Sequence, residues 1–378
     1  MPYWRLSSFY LFFFASVGAL VPYWSLYLKS LGFGAADIGE LMAIMMATKI
    51  IAPNIWGWVA DRSGQRVFIV RLGLLMALIS FGGVFLDHSF WWMALVMAIF
   101  SFFWNAALPQ FEATTMNMLG SDTHRYGAIR LWGSVGFILA VVGAGELLES
   151  RGAEVVPLII VAILLGTWLS SLWVPREPVI AHTVSHEPIM QVLLRPGVLM
   201  VLLVCFLLQV SHGPYYTFFT IYLEESGYSR GLIGQLWALG VVAEIGVFLV
   251  MHRLLPRYGA RTLLLITLAL TTLRWLLVAW GVEWLSVLLF AQLLHAASFG
   301  IYHAVAIHLI HKFFTGRHQG RGQALYSSIS FGAGGAAGSL ASGYLWEGAG
   351  AGITYSAAAL TSLLALLLTW KFVKSSSI

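Results

Sequence analysis

The sequence predicts an all-α membrane protein in which twelve transmembrane helices form two pseudo-symmetric six-helix bundles. The first observation is composition: 59% of the 378 residues are hydrophobic and only 10% are charged, with a mean hydropathy of +0.83. Soluble domains carry about 25% charged residues. The second observation is a series of apolar runs of membrane-spanning length, and the third is an internal repeat that relates the two halves of the chain.

Twelve apolar runs follow one another along the chain, and each is long enough to cross a ~30 Å hydrocarbon core as a helix of about 20 residues. The first run lacks a small-residue cleavage site, so we expect a membrane helix there and not a signal peptide. Numbered as segments 1 to 12, the runs cover about residues 7–28, 38–60, 67–86, 91–117, 126–148, 155–174, 197–223, 231–251, 262–281, 285–310, 322–345 and 352–372.

Prolines mark the one sizeable break between these segments. Pro175, Pro178, Pro188 and Pro196 fall within a stretch of mixed charge, and proline cannot continue a helix interior. We therefore expect an N-terminal six-helix bundle at residues 1–174, a cytoplasmic linker at 175–196 and a C-terminal six-helix bundle at 197–378.

The two bundles are related by an offset of 195 residues. This offset superimposes Gly32 on Gly227 and Lys49 on Glu244, and it continues without a gap into the loop that follows segment 2. In that loop the aligned pairs are Arg62 with Arg257, Gly64 with Gly259 and Arg66 with Arg261. Duplicated membrane halves hold their substrate near the bilayer midplane, so we expect the site between the two halves.

Charge asymmetry predicts the orientation. If the N-terminus is cytoplasmic, most of the 21 Lys and Arg residues lie on that side of the membrane. The positive-inside rule then predicts that both termini are cytoplasmic, as an even number of spans requires. We expect the protein in a bacterial cytoplasmic (inner) membrane. The net charge of +5 reflects this bias, so we expect no nucleic-acid partner.

The charged residues inside the apolar segments include Lys49, Glu112, Arg130, Glu244 and Arg274. On insertion scales, each costs roughly 2.5–3.5 kcal/mol at the centre of a membrane helix. Such residues are retained where they pair with one another, face an interior path, or handle a substrate or proton. They make the protein a candidate transporter.

The loop between segments 2 and 3 contains a run of glycine, acid and arginine, Gly57-Trp58-Val59-Ala60-Asp61-Arg62-Ser63-Gly64-Gln65-Arg66. This run resembles the loop signature of the major facilitator superfamily. The resemblance implies a gating loop that holds neighbouring helix ends together, formed by Gly57, Asp61, Arg62, Gly64 and Arg66. In the second copy Pro256 stands where the acid would be, so we expect the latch in the first half only.

Within that superfamily, the chain resembles the phenylpropionate permease family of 3-phenylpropionate/proton symporters, and more distantly the lactose permease. The runs that carry the resemblance are Asn105–Ala113, Tyr126–Phe137, Lys49–Asn54, Gly240–Glu244 and Gly320–Ser328. The resemblance to the lactose permease implies that Glu112 and Arg130 stand where that permease contacts its sugar, and that Arg274 and His295 have coupling roles. Two departures stand out: Ser298 replaces a coupling glutamate, and the acid of segment 8 is Glu244, three residues beyond the matching Val241.

Helical spacing groups further polar residues on single helix faces within segments 7, 10 and 11. Polar stripes inside apolar segments are typical of a wet interior path, although interhelical hydrogen bonding explains each stripe equally well. The substrate-binding candidates are Lys49, Asn105, Glu112, Arg130, Gln209, Tyr216, Tyr302 and Tyr326.

The charged residues have different expected roles. Arg130 stays charged and offers a planar fork for a carboxylate, or else forms a permanent structural pair with Glu112. Glu244 is the expected proton carrier, because burial and a nearby cation act in opposite directions on its protonation. Arg274 is its expected counter-charge. His295 is the third proton-coupling candidate, because an imidazole can change protonation near neutral pH.

Together these features favour a proton-coupled symporter that imports a small organic anion by alternating access. Three cationic groups face two acids in the segments, and the resemblance implies an aromatic carboxylate such as 3-phenylpropionate. We expect a monomer in the lipid bilayer with no metal and no cofactor beyond the proton gradient, and no enzymatic activity. A proton symporter of a neutral sugar or nucleoside is the alternative, and a non-transporting membrane sensor is a third.

Overall fold

The computed structural model describes residues 2–175, 190–315 and 319–373. Throughout these ranges the chain is helical, with no β-strand. Nine of the described helices are long and apolar enough to cross a membrane. The prediction of an all-α membrane protein is confirmed, whereas the count of twelve spans stays a prediction. Most of the expected linker at 175–196 lies outside the described residues.

Six helices make up the part of the chain before the linker, joined by short turns. Their bounds are α1 Tyr3–Ser30, α2 Ala35–Ser63, α3 Arg66–Phe81, α4 Phe90–Leu119, α5 Tyr126–Arg151 and α6 Val156–Leu172.

Eight helical stretches make up the described part of the chain from residue 190 onward. Their bounds are α7 Met190–Leu193, α8 Pro196–Ser211, α9 Gly213–Glu225, α10 Arg230–Gly281, α11 Leu285–Leu293, α12 Tyr302–Phe313, α13 Gln319–Ser327 and α14 Gly335–Phe372. Two wider π-helical turns, Ala296–Ile301 and Ser328–Gly334, join α11 to α12 and α13 to α14. Such π-turns occur frequently at functional sites.

Glycine breaks the two longest helices. Gly259 in α10 has φ 75° and ψ 157°, and Gly350 in α14 has φ 79° and ψ 176°. This backbone conformation is essentially restricted to glycine, because a Cβ atom would clash. Each of these helices is therefore two helices joined by a tight turn. The breaks coincide with the predicted loops between segments 8 and 9 and between segments 11 and 12.

The chain forms two compact units. Unit 1 comprises Met1–Phe33, Ile44–Thr183 and Ser229–Gln235, of which residues 1 and 176–183 are outside the described part. Unit 2 comprises Gly34–Ala43, Val184–Tyr228 and Leu236–Ile378, with its described residues as given above. Unit 1 thus contains the first turns of α10, and unit 2 contains the first turns of α2. The predicted domain boundaries at 174 and 197 stay predictions.

Carboxylates accept hydrogen bonds from the first residues of α10 and α2. In unit 1, Glu149 of α5 accepts a hydrogen bond from the backbone N–H of Arg230 (2.6 Å). In unit 2, Glu347 of α14 accepts one from the backbone N–H of Ala36 (2.9 Å). A negative charge at a helix N-terminus satisfies N–H groups that lack an intrahelical partner. The two capped positions are neighbours in the internal repeat, so the repeat extends to this detail of the packing.

Close backbone contact holds α1 against α5 within unit 1. A Cβ atom on Gly136 of α5 would overlap the carbonyl oxygen of Leu11, and one on Gly18 of α1 would come within 2.6 Å of the carbonyl oxygen of Phe137. Small residues permit this approach, which is a main source of helix association in membranes.

We expect Gly136→Ala to destabilise the protein by about 1–3 kcal/mol, because the added methyl group must push two packed helices apart. Gly143→Ala on the same helix is the matched control, since a Cβ atom there meets nothing within 4 Å. Thermal unfolding of both variants in detergent measures the difference. Equal melting temperatures for the two variants would contradict this account of the α1–α5 contact.

Candidate functional site

Unit 1 holds Arg130 of α5 beside Glu112 of α4. The Arg130 Nε atom lies 3.9 Å from Glu112 Oε1, and both side chains are 32% exposed. Tyr126 donates a hydrogen bond to the same carboxylate oxygen (3.4 Å). A separation of 3.9 Å is too long for a strong hydrogen bond, so the pair leaves the guanidinium edge available to a second anion.

An aromatic surface covers the Arg130 guanidinium. Its carbon lies 3.8 Å from the centre of the Phe14 ring and 5.6 Å from the centre of the Tyr10 ring, both on α1. Tyr10 is fully buried, and its hydroxyl group donates to Thr115 (3.3 Å). A cation resting on an aromatic face keeps its planar edge free for a carboxylate.

Lys49 and Asn105 lie on α2 and α4 of the same unit. Lys49 is half-buried, and it has no hydrogen-bond or ion-pair partner among the described residues. Asn105 donates from Nδ2 to the hydroxyl oxygen of Thr48, the residue that precedes the lysine (2.9 Å). Unit 1 therefore contains two of the predicted intramembrane cations, Lys49 and Arg130, and one of the predicted acids, Glu112.

Arg274 forms the centre of a fully buried network in unit 2. It is 0% exposed and donates from Nη1 to Ser298 (2.8 Å) and from Nη2 to Gln292 (2.9 Å). Its guanidinium also lies over the Tyr215 ring at 4.3 Å. These partners are neutral. Hydrogen bonds and an aromatic face therefore surround the Arg274 charge, for which the sequence analysis predicted Glu244 as the opposite charge.

His295 lies between Arg274 and Glu244. Its Nδ1 atom is 3.0 Å from Arg274 Nη1, and its Nε2 atom is 3.7 Å from Glu244 Oε2. A guanidinium can only donate, so Nδ1 accepts and carries no proton. In the neutral imidazole the proton is then on Nε2, directed towards Glu244. The three predicted coupling residues are brought together, with the histidine as the link.

Gln292 and Tyr215 were missed by the sequence analysis. Gln292 accepts from Arg274 and donates to the carbonyl oxygen of Leu236 (2.9 Å) and to the Tyr215 hydroxyl (3.3 Å). It thereby joins α9, α10 and α11. One signal was present: Gln292 precedes His295 by three residues, so the two share a helix face in an apolar segment.

Three of the four predicted substrate residues of unit 2 are buried, and the fourth, Tyr216, is half-buried. Tyr326 donates to the Tyr302 hydroxyl (3.3 Å), and both tyrosines belong to the apolar core of the unit. Gln209 is 1% exposed, and Tyr216 stacks on the His212 ring at 5.7 Å. Helical periodicity identified the polar face of each helix without indicating whether that face meets a substrate or a neighbouring helix. Their substrate role stays a prediction.

The gating-loop residues lie at the turn between α2 and α3. Gly57, Asp61 and Arg62 belong to α2, Gly64 takes a positive φ of 64° between the helices, and Arg66 begins α3. Arg66 Nη2 lies 2.6 Å from Asp61 Oδ1. The ion pair therefore bridges the turn.

The second copy of the loop uses its arginine differently. In unit 2, Arg261 donates to the carbonyl oxygens of Val373 (2.6 Å) and Trp370 (3.0 Å) at the end of α14. Backbone carbonyls at a helix C-terminus replace the acid that Pro256 removes.

Metal binding has no support in the described ranges, where no three His, Cys, Asp or Glu residues group together as ligands. The long apolar helices instead carry charged side chains within their spans. Charged side chains inside long apolar helices are typical of integral multi-pass membrane transporters.

Comparisons with known proteins agree with this class. The model of the MFS_1 like family matches residues 3–357, and the chain belongs to that family of major facilitator transporters. A probable 3-phenylpropionic acid transporter of Escherichia coli (strain K12) is 30% identical, with 98% of each chain covered. The maltose permease of Geobacillus stearothermophilus is 26% identical over 96% of this chain and 93% of the permease.

Solved structures show the same fold at lower sequence identity. The nucleoside transporter NupG has a TM-score of 0.82 and 18% identity, covering 99% of this chain and 100% of that chain. An auto-inhibited POT family peptide transporter has a TM-score of 0.76 and 13% identity, covering 98% of this chain and 95% of the other. The recognition of the superfamily and of the phenylpropionate permease relationship is confirmed.

We expect Gln292→Leu to destabilise unit 2 by about 1–3 kcal/mol, because it leaves Arg274 Nη2 and the Leu236 carbonyl oxygen without their partner. A double-mutant cycle with Arg274→Met isolates the interaction. The double variant should lose less stability than the sum of the two single variants. Strictly additive losses in thermal unfolding would show that the two side chains are not coupled.

Proposed function

We propose that this transporter is a proton-coupled symporter that imports a small aromatic carboxylate, represented by 3-phenylpropionate, by alternating access. The observation that carries the proposal is the pairing of a cation with an aromatic face at one place. The Arg130 guanidinium rests on Phe14 at 3.8 Å, while its acid partner Glu112 stays at 3.9 Å. A carboxylate can dock on the guanidinium edge while an aromatic ring packs nearby.

Charge balance supports an anionic substrate. Unit 1 contains the cations Lys49 and Arg130 beside the acid Glu112, and Lys49 has no hydrogen-bond or ion-pair partner among the described residues. In unit 2 the described partners of Arg274 are neutral. An arriving anion offsets part of the cost of holding these charges in hydrocarbon. The name of the relative from Escherichia coli, a probable 3-phenylpropionic acid transporter, agrees with this choice.

Proton coupling is assigned to Glu244, with His295 and Arg274 as its partners. The Nδ1 atom of His295 is occupied by an Arg274 donor, so the histidine cannot take a second proton there without losing that hydrogen bond. Glu244 can take a proton on its carboxylate beside Nε2. Arg274 and His295 then adjust the energy of the charged carboxylate and do not themselves carry the proton.

Energetics explain why a proton should accompany the anion. Bringing one negative charge into a negative interior costs about 2.3 kcal/mol per 100 mV. Moving one proton with it makes the step electroneutral, driven by the pH gradient at about 1.4 kcal/mol per unit. In the same proposal the protein lies in a bacterial inner membrane with both termini in the cytoplasm, works as a monomer, and needs no cofactor beyond the gradient.

Uptake of labelled 3-phenylpropionate into proteoliposomes with an alkaline interior tests the proposal. We expect gradient-dependent uptake by the wild type and a loss of at least about 100-fold in Arg130→Ala, because a charged hydrogen-bonded partner of the carboxylate is removed. Arg130→Lys should restore only part of the activity, since lysine keeps the charge but lacks the planar fork.

Glu244→Gln separates transport from coupling. We expect this variant to lose gradient-driven uptake and to retain counterflow exchange of labelled for unlabelled substrate, because exchange requires no net proton movement. Loss of both activities in a folded variant would show that Glu244 has a role other than carrying the proton. Lack of any uptake by folded wild type would reject the aromatic carboxylate.

A neutral sugar or nucleoside is the second candidate substrate, because the Glu112–Arg130 pair offers both an acceptor and a donor to hydroxyl groups. Competition with the amide of 3-phenylpropionate distinguishes the two. If the amide competes as well as the acid, the carboxylate is not recognised and the neutral substrate is favoured.

A further inference from the structure

We infer that the substrate carries a hydroxyl group on its aromatic ring in addition to its carboxylate, and that the Oδ1 atom of Asn105 recognises that hydroxyl. This inference rests on the proposed function, because it assumes that the carboxylate docks at Arg130. It makes Asn105 a specificity-determining residue and narrows the substrate class to hydroxylated aromatic carboxylates.

A chain of hydrogen bonds in unit 1 supports this role. The hydroxyl oxygen of Ser101 lies 2.6 Å from the carbonyl oxygen of Met97. Thr48 Oγ1 lies 2.9 Å from the Ser101 oxygen and 2.8 Å from the carbonyl oxygen of Met45. Asn105 completes the chain with its amide group 2.9 Å from Thr48 Oγ1.

The direction of each bond follows from the count of hydrogens. A carbonyl oxygen can only accept, so Ser101 donates its single hydrogen to Met97. Thr48 also has one hydrogen, and both of its acceptors, Met45 and Ser101, lie within reach of it. When the Thr48 hydrogen goes to either of these acceptors, the Thr48 oxygen meets Asn105 with a lone pair and accepts from Nδ2, which is how the amide is oriented in the structure.

The orientation of the Asn105 amide is thereby determined. Its nitrogen faces Thr48, so Oδ1 points away from the hydrogen-bonded series Ser101–Thr48–Asn105. Oδ1 has no hydrogen-bond partner among the described residues. Thr48 and Ser101 are buried, at 8% and 0% exposure, whereas Asn105 is only half-buried. The site thus presents a hydrogen-bond acceptor, which a ligand can satisfy only with an O–H or N–H group.

The spacing of this acceptor from the carboxylate site fits an aromatic acid. Asn105 and Glu112 are seven residues apart on the same face of α4, a rise of about 10 Å. Glu112 lies beside Arg130, so the acceptor and the guanidinium are separated by roughly two helical turns. An extended phenylpropionate with a ring hydroxyl has a comparable reach once its two hydrogen bonds are included.

Binding to the purified full-length protein, measured by calorimetry, tests the inference. The three probes are 3-phenylpropionate, 3-(4-hydroxyphenyl)propionate and 3-(4-methoxyphenyl)propionate. We expect the hydroxylated acid to bind about tenfold more tightly than the parent acid, the ratio that one additional hydrogen bond of about 1.4 kcal/mol produces. The methoxy acid, which can accept but not donate, should bind no more tightly than the parent.

Variants then assign the effect to Asn105. Asn105→Leu should reduce the affinity ratio of hydroxylated to parent acid to about one. Thr48→Val should lower it as well, because the amide is no longer held through its nitrogen and can present either end. Asn105→Asp should keep a ratio above one, because the carboxylate still accepts, while a second negative charge weakens binding of both acids.

Thr167→Val is the matched control for Thr48→Val. Thr167 is 0% exposed, and its hydroxyl group donates to the carbonyl oxygen of Ile163 on the same helix (2.8 Å). The same substitution therefore removes a comparable hydrogen bond at a position far from Asn105 in sequence. The ratio should not change in this variant. Because a ratio of affinities does not depend on how much protein is folded, a purely structural role of Thr48 would leave it unchanged.

The outcomes separate this inference from the proposed function. Equal affinity of wild type for the parent and hydroxylated acids would overturn the inference and leave carboxylate transport intact. A tenfold ratio that survives Asn105→Leu would overturn the assignment to Asn105. If neither acid binds to folded wild type, the carboxylate function fails and the inference fails with it.

Discussion

The cost of holding charge away from water constrains the interior of this protein. Its intramembrane cations meet that cost in three different ways. Arg130 has a loose ion pair and an aromatic face, Arg274 has neutral hydrogen-bond partners, and Lys49 has no partner in the described part of the chain. Arg274 is buried and has three hydrogen-bond partners on its two Nη atoms, so it belongs to the packed interior of unit 2. A cation with few internal partners gains most from an arriving anion.

This difference separates the expected roles of the two units. Arg130 in unit 1 is 32% exposed and keeps donors available, which suits a group that binds and releases an anion. Arg274 in unit 2 is 0% exposed and engaged by His295, Ser298 and Gln292, which suits a group that fixes the surroundings of Glu244. Substrate contact and proton coupling would therefore depend on different residues.

The sequence predicted the helical membrane fold well, because that fold depends on a local pattern, the length of the apolar runs. The short glycine motif lies at the turn between α2 and α3, where Arg66 pairs with Asp61, but its gating role stays a prediction. The resemblance pointed to Glu112 and Arg130 as functional residues, and their side chains lie 3.9 Å apart in the structure. The surroundings of Arg274 could not be predicted, since a counter-charge and a set of neutral partners satisfy the same energetic requirement. Likewise, the period of a helix identifies Tyr302 and Tyr326 as polar positions without indicating that they bond to each other in a core.

The identity of a residue alone also does not determine whether a binding site donates or accepts a hydrogen bond. Asn105 and His295 can each donate or accept, and a neighbour decides which end is used: the Thr48 oxygen takes the amide donor of one, and the Arg274 guanidinium takes the Nδ1 acceptor of the other. The remaining end, Oδ1 of Asn105 or Nε2 of His295, is then the group presented to a ligand or to Glu244. Substituting the neighbour should therefore change what the site recognises without altering any residue that touches the substrate.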